Sequence, residues 1–453
     1  MTLESKLVQL DISDLAFDGK SVGHLDGKVV FCDRGLPGET VLAEITRSKP
    51  RYNQATVREI IRKTDARIPP VCSHFGHCGG CLWQDLSYQE QLRYKRKQVV
   101  DCLERLGGLS SVQVADAVGA PEQFHYRNKM EFSFHVTPEG GFSLGLHRRG
   151  RFDDVFDLER CYLQSELSNE IVAWMRDFVT KERIPVYDVR HHTGFIRFLV
   201  IREGKHTGQV MVNIVTNYGD IPGQDKLVTG LTGTFPAVTT IVHNQNGQKS
   251  NVATGEIETV LYGPGYIEEE ICTWRFRIRT NSFFQTNSIQ TGNLYRTALD
   301  MLGAKSGDRL LDLYCGTGTI SILASLRVSE VVGVELVGES VAVARENAEL
   351  NDTENILFFQ ADVQDFLKSP TAAEKRFEIV VVDPPRAGLH PRVLRRILRL
   401  VPEKLLYISC NPATFARDAR EVTAAGYALS KVIPVDMFPH TKHIELVAMF
   451  HRM

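Results

Sequence analysis

The sequence lacks the features that would assign it to a membrane, secreted or strongly basic class of protein. It has no apolar run long enough to cross a bilayer, and its N-terminus carries no signal-peptide pattern. We therefore expect a cytoplasmic protein, a monomer, with no membrane partner. The formal net charge is −2, so any nucleic-acid site has to be a local basic patch.

Cysteine is also scarce. Nine cysteines among 453 residues are too few for a disulfide scaffold. In a reducing compartment, cysteines that cluster indicate a metal site or catalysis instead. The chain is longer than one hydrophobic core supports, which predicts two or three domains.

The hydrophobic pattern divides the chain into three segments. Residues 5–62 alternate short apolar runs with glycine turns, which predicts a small β-barrel of a kind often used to bind oligonucleotides. Residues 63–270 contain a cysteine cluster and a β-rich, helix-poor stretch, apart from a helical pattern over residues 88–106. Residues 271–453 alternate strands and helices, which predicts a mostly parallel sheet covered on both faces. The predicted fold class is multidomain, α/β plus β.

A glycine-rich loop over residues 312–319 follows the first strand of the third segment. Its glycines let the backbone approach a ligand, and the helix that follows offers unpaired N–H groups. Glu335 ends the next strand, where a carboxylate can accept both hydroxyls of a ribose, and Asp362 is placed to meet an adenine edge. Ser321 stands where a dinucleotide fingerprint has its third glycine. We therefore predict S-adenosylmethionine rather than a nicotinamide dinucleotide.

The motif Asp383-Pro384-Pro385-Arg386 follows the fourth strand of the same segment. Its prolines stiffen a loop at the carboxyl edge of the sheet, where ligands bind. Enzymes that methylate exocyclic amines typically have Asn-Pro-Pro-aromatic here. The asparagine and the aromatic residue are both absent, which disfavours that substrate class.

Cys410 and Glu445 are the predicted catalytic pair. Uracil C5 becomes nucleophilic only after a thiolate adds to C6, and a base must then remove the C5 proton, so this chemistry needs one cysteine and one carboxylate. Cys410 ends an apolar run before a proline turn, and Glu445 interrupts another apolar strand. The residues alone leave two other interpretations open: a small buried thiol for Cys410 and an exposed strand face for Glu445.

A second group of thiols has the spacing Cys72-x5-Cys78-x2-Cys81 in a glycine-punctuated loop. A fourth ligand is needed, with Cys161 as the best candidate and His74 or His77 as rivals. Four thiolates can hold zinc or an iron–sulfur cluster, and the spacing does not choose between them. Three ligands plus a distant one suit a cubane somewhat better.

Two family resemblances rest on these motifs. Residues 14–19, 22–27 and 36–39 resemble a TRAM domain, an RNA-binding β-barrel of RNA-modifying enzymes. Five further motifs, in family order, resemble the RNA uracil-5-methyltransferase family. They are residues 282–287 (Ser-Phe-Phe-Gln-Thr-Asn), 312–319, 382–389 (Val-Asp-Pro-Pro-Arg-Ala-Gly-Leu), 409–414 (Ser-Cys-Asn-Pro-Ala-Thr) and 443–445 (His-Ile-Glu).

The resemblance implies a role for each motif. Cys410 is then the nucleophile and Glu445 the base, and Phe283 is placed to stack on the target base. Relatives with a TRAM domain carry a [4Fe–4S] cluster on this cysteine pattern, so we expect one here on Cys72, Cys78, Cys81 and Cys161. The implied S-adenosylmethionine ligands are Gln285, Tyr314, Glu335 and Asp383, with Asp362 and Thr319 as further candidates.

The same resemblance implies a domain organisation and a substrate. We expect a TRAM barrel over residues 1–62, a central iron–sulfur and RNA-binding domain over 63–83 and 116–270, and a Rossmann-like methyltransferase domain over 84–115 and 271–453. The expected substrate is RNA, with 23S ribosomal RNA favoured and transfer RNA as the alternative. Arg127 and Lys129 are candidate RNA contacts.

Three other functions are compatible with parts of the pattern. An RNA cytosine-5-methyltransferase typically has a cysteine after an Asp-Ala-Pro loop, and Asp383-Pro384-Pro385 has none. A radical methylthiotransferase has a Cys-x3-Cys-x2-Cys cluster, which differs from the spacing here. An iron–sulfur RNA-binding regulator with an inactive methyltransferase fold is disfavoured because Cys410 and Glu445 are both present.

Overall fold

The computed structural model describes residues 6–249 and 251–453, so residues 1–5 of the predicted barrel segment lie outside the described part. The first strands form a closed barrel in the order β1-β2-β3-β5-β4, which confirms the predicted barrel. Alternate residues of β1, such as Val8, Leu10 and Ile12, are buried inside it because successive side chains of a strand point to opposite faces. The strands are β1 (Leu7–Leu15), β2 (Ser21–Leu25), β3 (Lys28–Cys32), β4 (Thr40–Ser48) and β5 (Tyr52–Arg62).

The predicted helix after the cysteine loop is helix α1 (Tyr88–Cys102), which continues as a π-helical turn (Leu103–Gly107). Val99, Cys102 and Leu103 belong to the core of the C-terminal sheet, although the helix precedes the central sheet in the sequence. Lys95 is fully buried there and forms an ion pair with Asp436, at 2.6 Å. These contacts agree with the expected assignment of this helix, while the complete division into domains stays a prediction.

The central segment forms a seven-stranded sheet in the order β12-β11-β10-β9-β6-β7-β8. The segment is rich in β-strands, as predicted, and it also contains two helices that the sequence analysis did not predict. Its elements are β6 (Lys129–Val136), β7 (Phe142–His147), β8 (Val155–Asp157), α2 (Glu166–Lys181), β9 (Ile196–Glu203), β10 (Val210–Thr216), α3 (Gln224–Thr234), β11 (Val238–Gln245) and β12 (Ile257–Tyr262).

Local chemistry explains the two missed helices. Ser165 caps α2 by accepting a hydrogen bond from the Ser168 N–H, and the buried face of α2 packs on the sheet. Helix α3 is rich in glycine and threonine, which are poor helix formers, so tertiary packing decides its conformation. Gly230 allows this packing, because a Cβ there would lie 2.5 Å from the Trp174 ring.

A hairpin leads into the C-terminal sheet, and the predicted domain boundary between residues 270 and 271 falls inside its first strand. Ile267 and Phe276 of this hairpin are buried in the core of the C-terminal sheet. The elements of this part are β13 (Ile267–Ile271), β14 (Trp274–Ile278), α4 (Ser288–Leu302), β15 (Arg309–Leu313), α5 (Thr319–Ser325), β16 (Glu330–Glu335), α6 (Gly338–Leu350), β17 (Ile356–Gln360), α7 (Val363–Phe366), α8 (Pro370–Glu374), β18 (Ile379–Val382), α9 (Pro391–Arg399), β19 (Lys404–Ser409), α10 (Pro412–Ala424), β20 (Tyr427–Val435) and β21 (Glu445–Arg452).

The C-terminal sheet has the order β17-β16-β15-β18-β19-β21-β20. Strands β15 to β19 are parallel to one another, as predicted, and β21 runs antiparallel to both β19 and β20. The carboxyl ends of the parallel strands therefore share one edge with the amino end of β21. Throughout the described residues, no helix combines the length and apolarity needed to span a membrane.

Candidate active site

The glycine-rich loop leaves β15 in a backbone conformation that brings it close to the sheet edge. Tyr314 has a φ of 67°, in the left-handed region that few residues other than glycine adopt. Gly318 has a φ of 80°, and a Cβ there would lie 2.8 Å from the Phe358 ring, so a side chain does not fit. The loop is thus held in a strained, compact form directly before helix α5.

Glu335 and Asp362 hold the backbone around this loop. Glu335 ends β16, and its carboxylate accepts hydrogen bonds from the Gly316 N–H at 3.2 Å and the Val337 N–H at 2.8 Å. Asp362 is the N-cap of α7, and its Oδ1 accepts from the Gln364 and Asp365 N–H groups. Both carboxylates keep acceptor capacity for a ligand.

Four of the six predicted cofactor residues line one small cavity at the carboxyl edge. These are Gln285, Tyr314, Thr319 and Asp383, and Phe283 lines the same cavity with its ring 67% exposed. Glu335 and Asp362 do not line this cavity. Glu335 contacts the loop through the Gly316 N–H, and burial, followed by the charge of Asp362, raises the pKa of Tyr314.

Two carboxylates at the strand ends are desolvated. Burial raises the pKa of Asp383 to about 7. Burial also raises the pKa of Asp312 to about 7, with the neighbouring charges of Asp383 and Glu335 adding to the effect, against a hydrogen bond from Ser321 Oγ at 2.6 Å. Asp312 was not among the predicted site residues. The sequence feature that could have identified it is an acidic residue near the end of the apolar strand that precedes the glycine-rich loop.

The sheet register brings the predicted catalytic pair together. The pairing of the antiparallel strands β19 and β21 ends at Ser409 and Leu446, so the adjacent residues Cys410 and Glu445 lie at the same edge of the sheet, close enough for the charge of Glu445 to act on Cys410. Glu445 is buried, which settles the choice between an exposed and a buried strand face, and Cys410 is half-buried. Both lie at the same edge as Asp383.

The electrostatics of this pair link it to its neighbours. Burial raises the pKa of Cys410 to about 11, with the charges of Glu445 and Asp383 adding to the effect and Arg386 opposing it. Burial raises the pKa of Glu445 well above its ordinary value, again with Asp383 adding and Arg386 opposing. In the absence of ligands, the thiol is therefore protonated near neutral pH.

The loop after β18 and the turn after β19 are bound to each other. Asn411 Nδ2 and Thr414 Oγ1 both donate to the Arg386 carbonyl, at 3.0 and 3.2 Å. Asp418 is buried and accepts hydrogen bonds from the Leu389 N–H at 2.8 Å and the Tyr407 hydroxyl at 2.7 Å. These contacts hold Cys410 in place beside Arg386. Sequence reasoning missed Asn411 and Asp418 as supporting residues.

The two predicted RNA contacts, Arg127 and Lys129, are both half-buried. The Arg127 Nε is buried without a hydrogen-bond partner, and its guanidinium lies 6.0 Å from the centre of the Phe438 ring. Lys129 forms an ion pair with Glu131 at 2.6 Å, and its side chain is 24% exposed.

The four predicted metal ligands line a different cavity, of about 260 Å³, between the cysteine loop and the central sheet. Cys72, Cys78, Cys81 and Cys161 all face it. Among their two rivals, His74 also lines it and His77 does not. Burial raises the pKa of Cys81, and the charges of Cys161, Cys78 and Cys72 add to this effect because the four groups are neighbours. Within residues 6–249 and 251–453, however, no three His, Cys, Asp or Glu side chains are grouped so that they could hold a metal ion.

Comparisons with known families agree with this geometry. A tRNA (uracil-5-)-methyltransferase family model matches residues 238–453, and a TRAM domain model matches residues 3–57. An uncharacterised RNA methyltransferase of Chlorobaculum tepidum is 40% identical, with 98% of this chain and 96% of the relative aligned. An RNA methyltransferase of Caldanaerobacter subterraneus is 37% identical over 99% of both chains.

A solved structure decides the family. The crystal structure of the Pyrococcus abyssi tRNA (uracil-54, C5)-methyltransferase in complex with S-adenosyl-L-homocysteine is 33% identical, covers 98% of this chain and 100% of its own, and superposes with a TM-score of 0.79. The chain belongs to the RNA uracil-5-methyltransferase family. Its members are S-adenosylmethionine-dependent enzymes, so the predicted family, enzyme class and methyl donor are confirmed.

The desolvated Asp383 predicts a pH-dependent affinity for the methyl donor. Asp383 is a predicted ligand of S-adenosylmethionine with a pKa of about 7, so we expect the cationic sulfonium to bind more tightly as pH rises and the carboxylate ionises. We expect the affinity to increase about tenfold between pH 6 and pH 8. Calorimetry should show a smaller change for S-adenosylhomocysteine, whose sulfur is neutral.

The matched variant for this prediction is Asp383→Asn. It should flatten the pH profile for S-adenosylmethionine and leave that for S-adenosylhomocysteine almost unchanged. Equal pH profiles for both ligands on the native protein would contradict a sulfonium–carboxylate contact.

Proposed function

We propose that this protein methylates uracil C5 in RNA through a covalent adduct between Cys410 and uracil C6, with Glu445 removing the C5 proton. The observation that carries this proposal is the proximity of Cys410 and Glu445 at the edge that also holds the Gln285, Tyr314 and Asp383 cavity. A nucleophile, a base and a methyl-donor cavity at one edge are what 5-methylation of a pyrimidine requires.

Cys410 and Glu445 have separate roles in the reaction. The Cys410 thiol releases its proton, and the thiolate forms a bond to C6, which makes C5 an enolate-like carbon. C5 takes the methyl group that S-adenosylmethionine would supply, with S-adenosylhomocysteine as the leaving group. Glu445 then accepts the C5 proton, the C5–C6 double bond forms again, and the sulfur leaves as thiolate. Attack on C6 requires the Cys410 thiolate, and removal of the C5 proton requires the Glu445 carboxylate. Burial favours the neutral form of both groups.

Binding of a cationic ligand favours the ionised forms of Cys410 and Glu445. The carboxylate of Asp383 raises the pKa of both Cys410 and Glu445. A cation bound at Asp383 offsets that negative charge, so it favours the Cys410 thiolate and the Glu445 carboxylate. Arg386 acts in the same direction on both groups. The target base has to leave its stack to reach Cys410, and the exposed ring of Phe283 offers a surface on which it can stack.

Two variants separate the two catalytic roles. We expect Cys410→Ala to abolish both methyl transfer and covalent RNA adducts, because no thiolate attacks C6. We expect Glu445→Gln to accumulate a methylated adduct, because methylation precedes proton removal. Denaturing gels with labelled RNA measure the adduct.

The control for this pair is Cys272→Ala. Cys272 is half-buried, donates to the Gly292 carbonyl and is not among the residues that line the cofactor cavity, so this variant should retain adduct formation and turnover. Methyl transfer by Cys410→Ala would refute the covalent mechanism, and a Glu445→Gln protein without trapped adduct would refute the role of Glu445.

For the substrate, we propose 23S ribosomal RNA, as the sequence predicts from the combination of TRAM barrel and cysteine cluster. Transfer RNA is the second candidate. The Pyrococcus abyssi protein, which aligns with this chain over its full length, is a tRNA (uracil-54, C5)-methyltransferase, and this favours the second candidate. Arg127 and Lys129 stay predicted RNA contacts.

Mass mapping of 5-methyluridine decides between the two substrates. In a strain lacking the gene, we expect 5-methyluridine to disappear from a site in 23S ribosomal RNA, with transfer RNA unchanged. Complementation should restore it, and complementation with Cys410→Ala should not. Loss confined to transfer RNA would replace the first candidate by the second.

We also propose that Cys72, Cys78, Cys81 and Cys161 hold a [4Fe–4S] cluster. The residues fit such a group, because four thiols line one cavity, and Cys78 Sγ accepts a hydrogen bond from the Gly80 N–H at 3.3 Å. A single zinc ion would need four sulfurs at about 2.3 Å from one point. Zinc on the same four thiols is the alternative to the cluster, and the two assignments differ in their iron and sulfide content.

Metal analysis of anaerobically purified protein tests this assignment. We expect about four iron and four sulfide per chain and a broad visible absorption. Cys78→Ala should lose both, whereas Cys272→Ala should keep them. One zinc per chain without sulfide would contradict the cluster.

A further inference from the structure

The catalytic base begins β21 directly after a segment without regular structure. We call residues 436–444, which connect β20 to β21, the active-site strap. Loops of this kind usually take several positions unless their backbone is held. In this strap, four consecutive carbonyl groups accept hydrogen bonds from other parts of the chain or from a strap side chain.

These four carbonyls are held from separate regions. The Met437 carbonyl accepts from Asn287 Nδ2 at 2.9 Å, at the start of α4. The Phe438 carbonyl accepts from Lys95 Nζ at 3.0 Å, on α1, and from Thr441 Oγ1 at 2.8 Å. The Pro439 carbonyl accepts from the Tyr126 hydroxyl at 3.1 Å.

The His440 carbonyl is held by the end of the cysteine loop. It accepts from both the Leu82 N–H at 2.9 Å and the Trp83 N–H at 3.0 Å, directly after Cys81. His440 itself has a φ of 66°, and its ring stacks on Phe124 with a centroid distance of 4.4 Å. A residue in this conformation keeps it only when its surroundings impose it.

Gln91 on α1 provides that constraint. It is fully buried, and its Nε2 donates to the carbonyls of Trp83 at 2.9 Å and Leu86 at 2.8 Å and contacts His440 Nδ1 at 3.2 Å. Its Oε1 accepts from the His440 N–H at 2.8 Å. One amide thus joins the end of the cysteine loop to the strap.

We propose that Gln91, with His440 and Tyr126, positions the base Glu445 by holding the strap, and that the end of the cysteine loop is part of this support. The inference rests on the proposed function, since it concerns the second half of the reaction. Cys410 is held separately, through Asn411 and the Arg386 loop. A loosened strap therefore slows proton removal and leaves thiolate attack almost unchanged.

The test compares two buried glutamines of the same helix. Gln91→Leu removes the strap contacts. Gln98→Leu is the matched control, because Gln98 Nε2 likewise donates to two carbonyls, those of Leu15 and Ala16, but these belong to the barrel side. We expect Gln91→Leu to lower kcat by about tenfold to a hundredfold, as misplacement of a catalytic group by about 1 Å does.

Three further readouts separate positioning from a general structural effect. In Gln91→Leu, the methylated adduct should accumulate as in Glu445→Gln, KM for S-adenosylmethionine should not change, and hydrogen exchange should increase in a peptide covering residues 436–445. In Gln98→Leu, neither the adduct fraction nor that exchange should change.

A second matched pair covers the case in which Gln91→Leu does not fold. Tyr126→Phe removes only the hydroxyl that donates to the Pro439 carbonyl, and Tyr427→Phe removes a hydroxyl that donates to the Pro402 carbonyl, at 2.9 Å, away from the strap. The inference is supported if the adduct accumulates in Tyr126→Phe and does not accumulate in Tyr427→Phe.

The outcomes distinguish this inference from the proposed function. If Glu445→Gln traps an adduct while Gln91→Leu and Tyr126→Phe do not, the positioning role is refuted and the mechanism stands. If no variant and no native protein forms an adduct, while exchange still increases in residues 436–445 of Gln91→Leu, the strap is held as described and the proposed mechanism is refuted.

Discussion

The antiparallel pairing of β19 with β21 is the constraint on which the active site depends. In a parallel sheet, each strand offers its carboxyl end to the ligand edge, so residues from its amino end lie on the opposite side. Strand β21 runs the other way, and its first residue, Glu445, therefore reaches the edge where β19 delivers Cys410. A one-residue change of register would turn Glu445 to the other face of the sheet. The extensive burial of both strands disfavours such a slip.

Several carboxylates at the same edge of the sheet are buried away from solvent. Asp312, Asp383 and Glu445 all have a pKa raised by burial. A raised pKa in the folded state means that each group contributes stability below its unfolded pKa, near 4, and loses it as pH rises through the folded value, which is about 7 for Asp312 and Asp383. The ligand-free site is thus destabilised near neutral pH, and a bound cation offsets this cost. The arrangement favours a positively charged methyl donor over its neutral product.

Local patterns predicted much of this fold because they report local constraints. Continuous apolar runs such as those of β15 and β18 mark buried parallel strands, and the parallel sheet predicted over residues 271–453 rests on such runs. Helix α3 could not be predicted, since its glycines weaken the helical pattern and its packing on Trp174 comes from distant residues. The burial of Glu445 was open in the sequence, because whether a strand-end carboxylate is exposed depends on which strand pairs with it.

The strap shows a further limit of prediction from motifs. Its contacts use main-chain carbonyls, which every residue has, so the motif around Glu445 contains no sign of them. They also give a physical reason why α1 packs on the C-terminal sheet although it lies between the cysteine loop and the central sheet in the sequence. Gln91 and Lys95 are one helical turn apart and hold the same strap from one face of α1. Because Leu82, Trp83 and Tyr126 hold it from residues 63–270, the position of the base is a property of two segments and not of the methyltransferase fold alone.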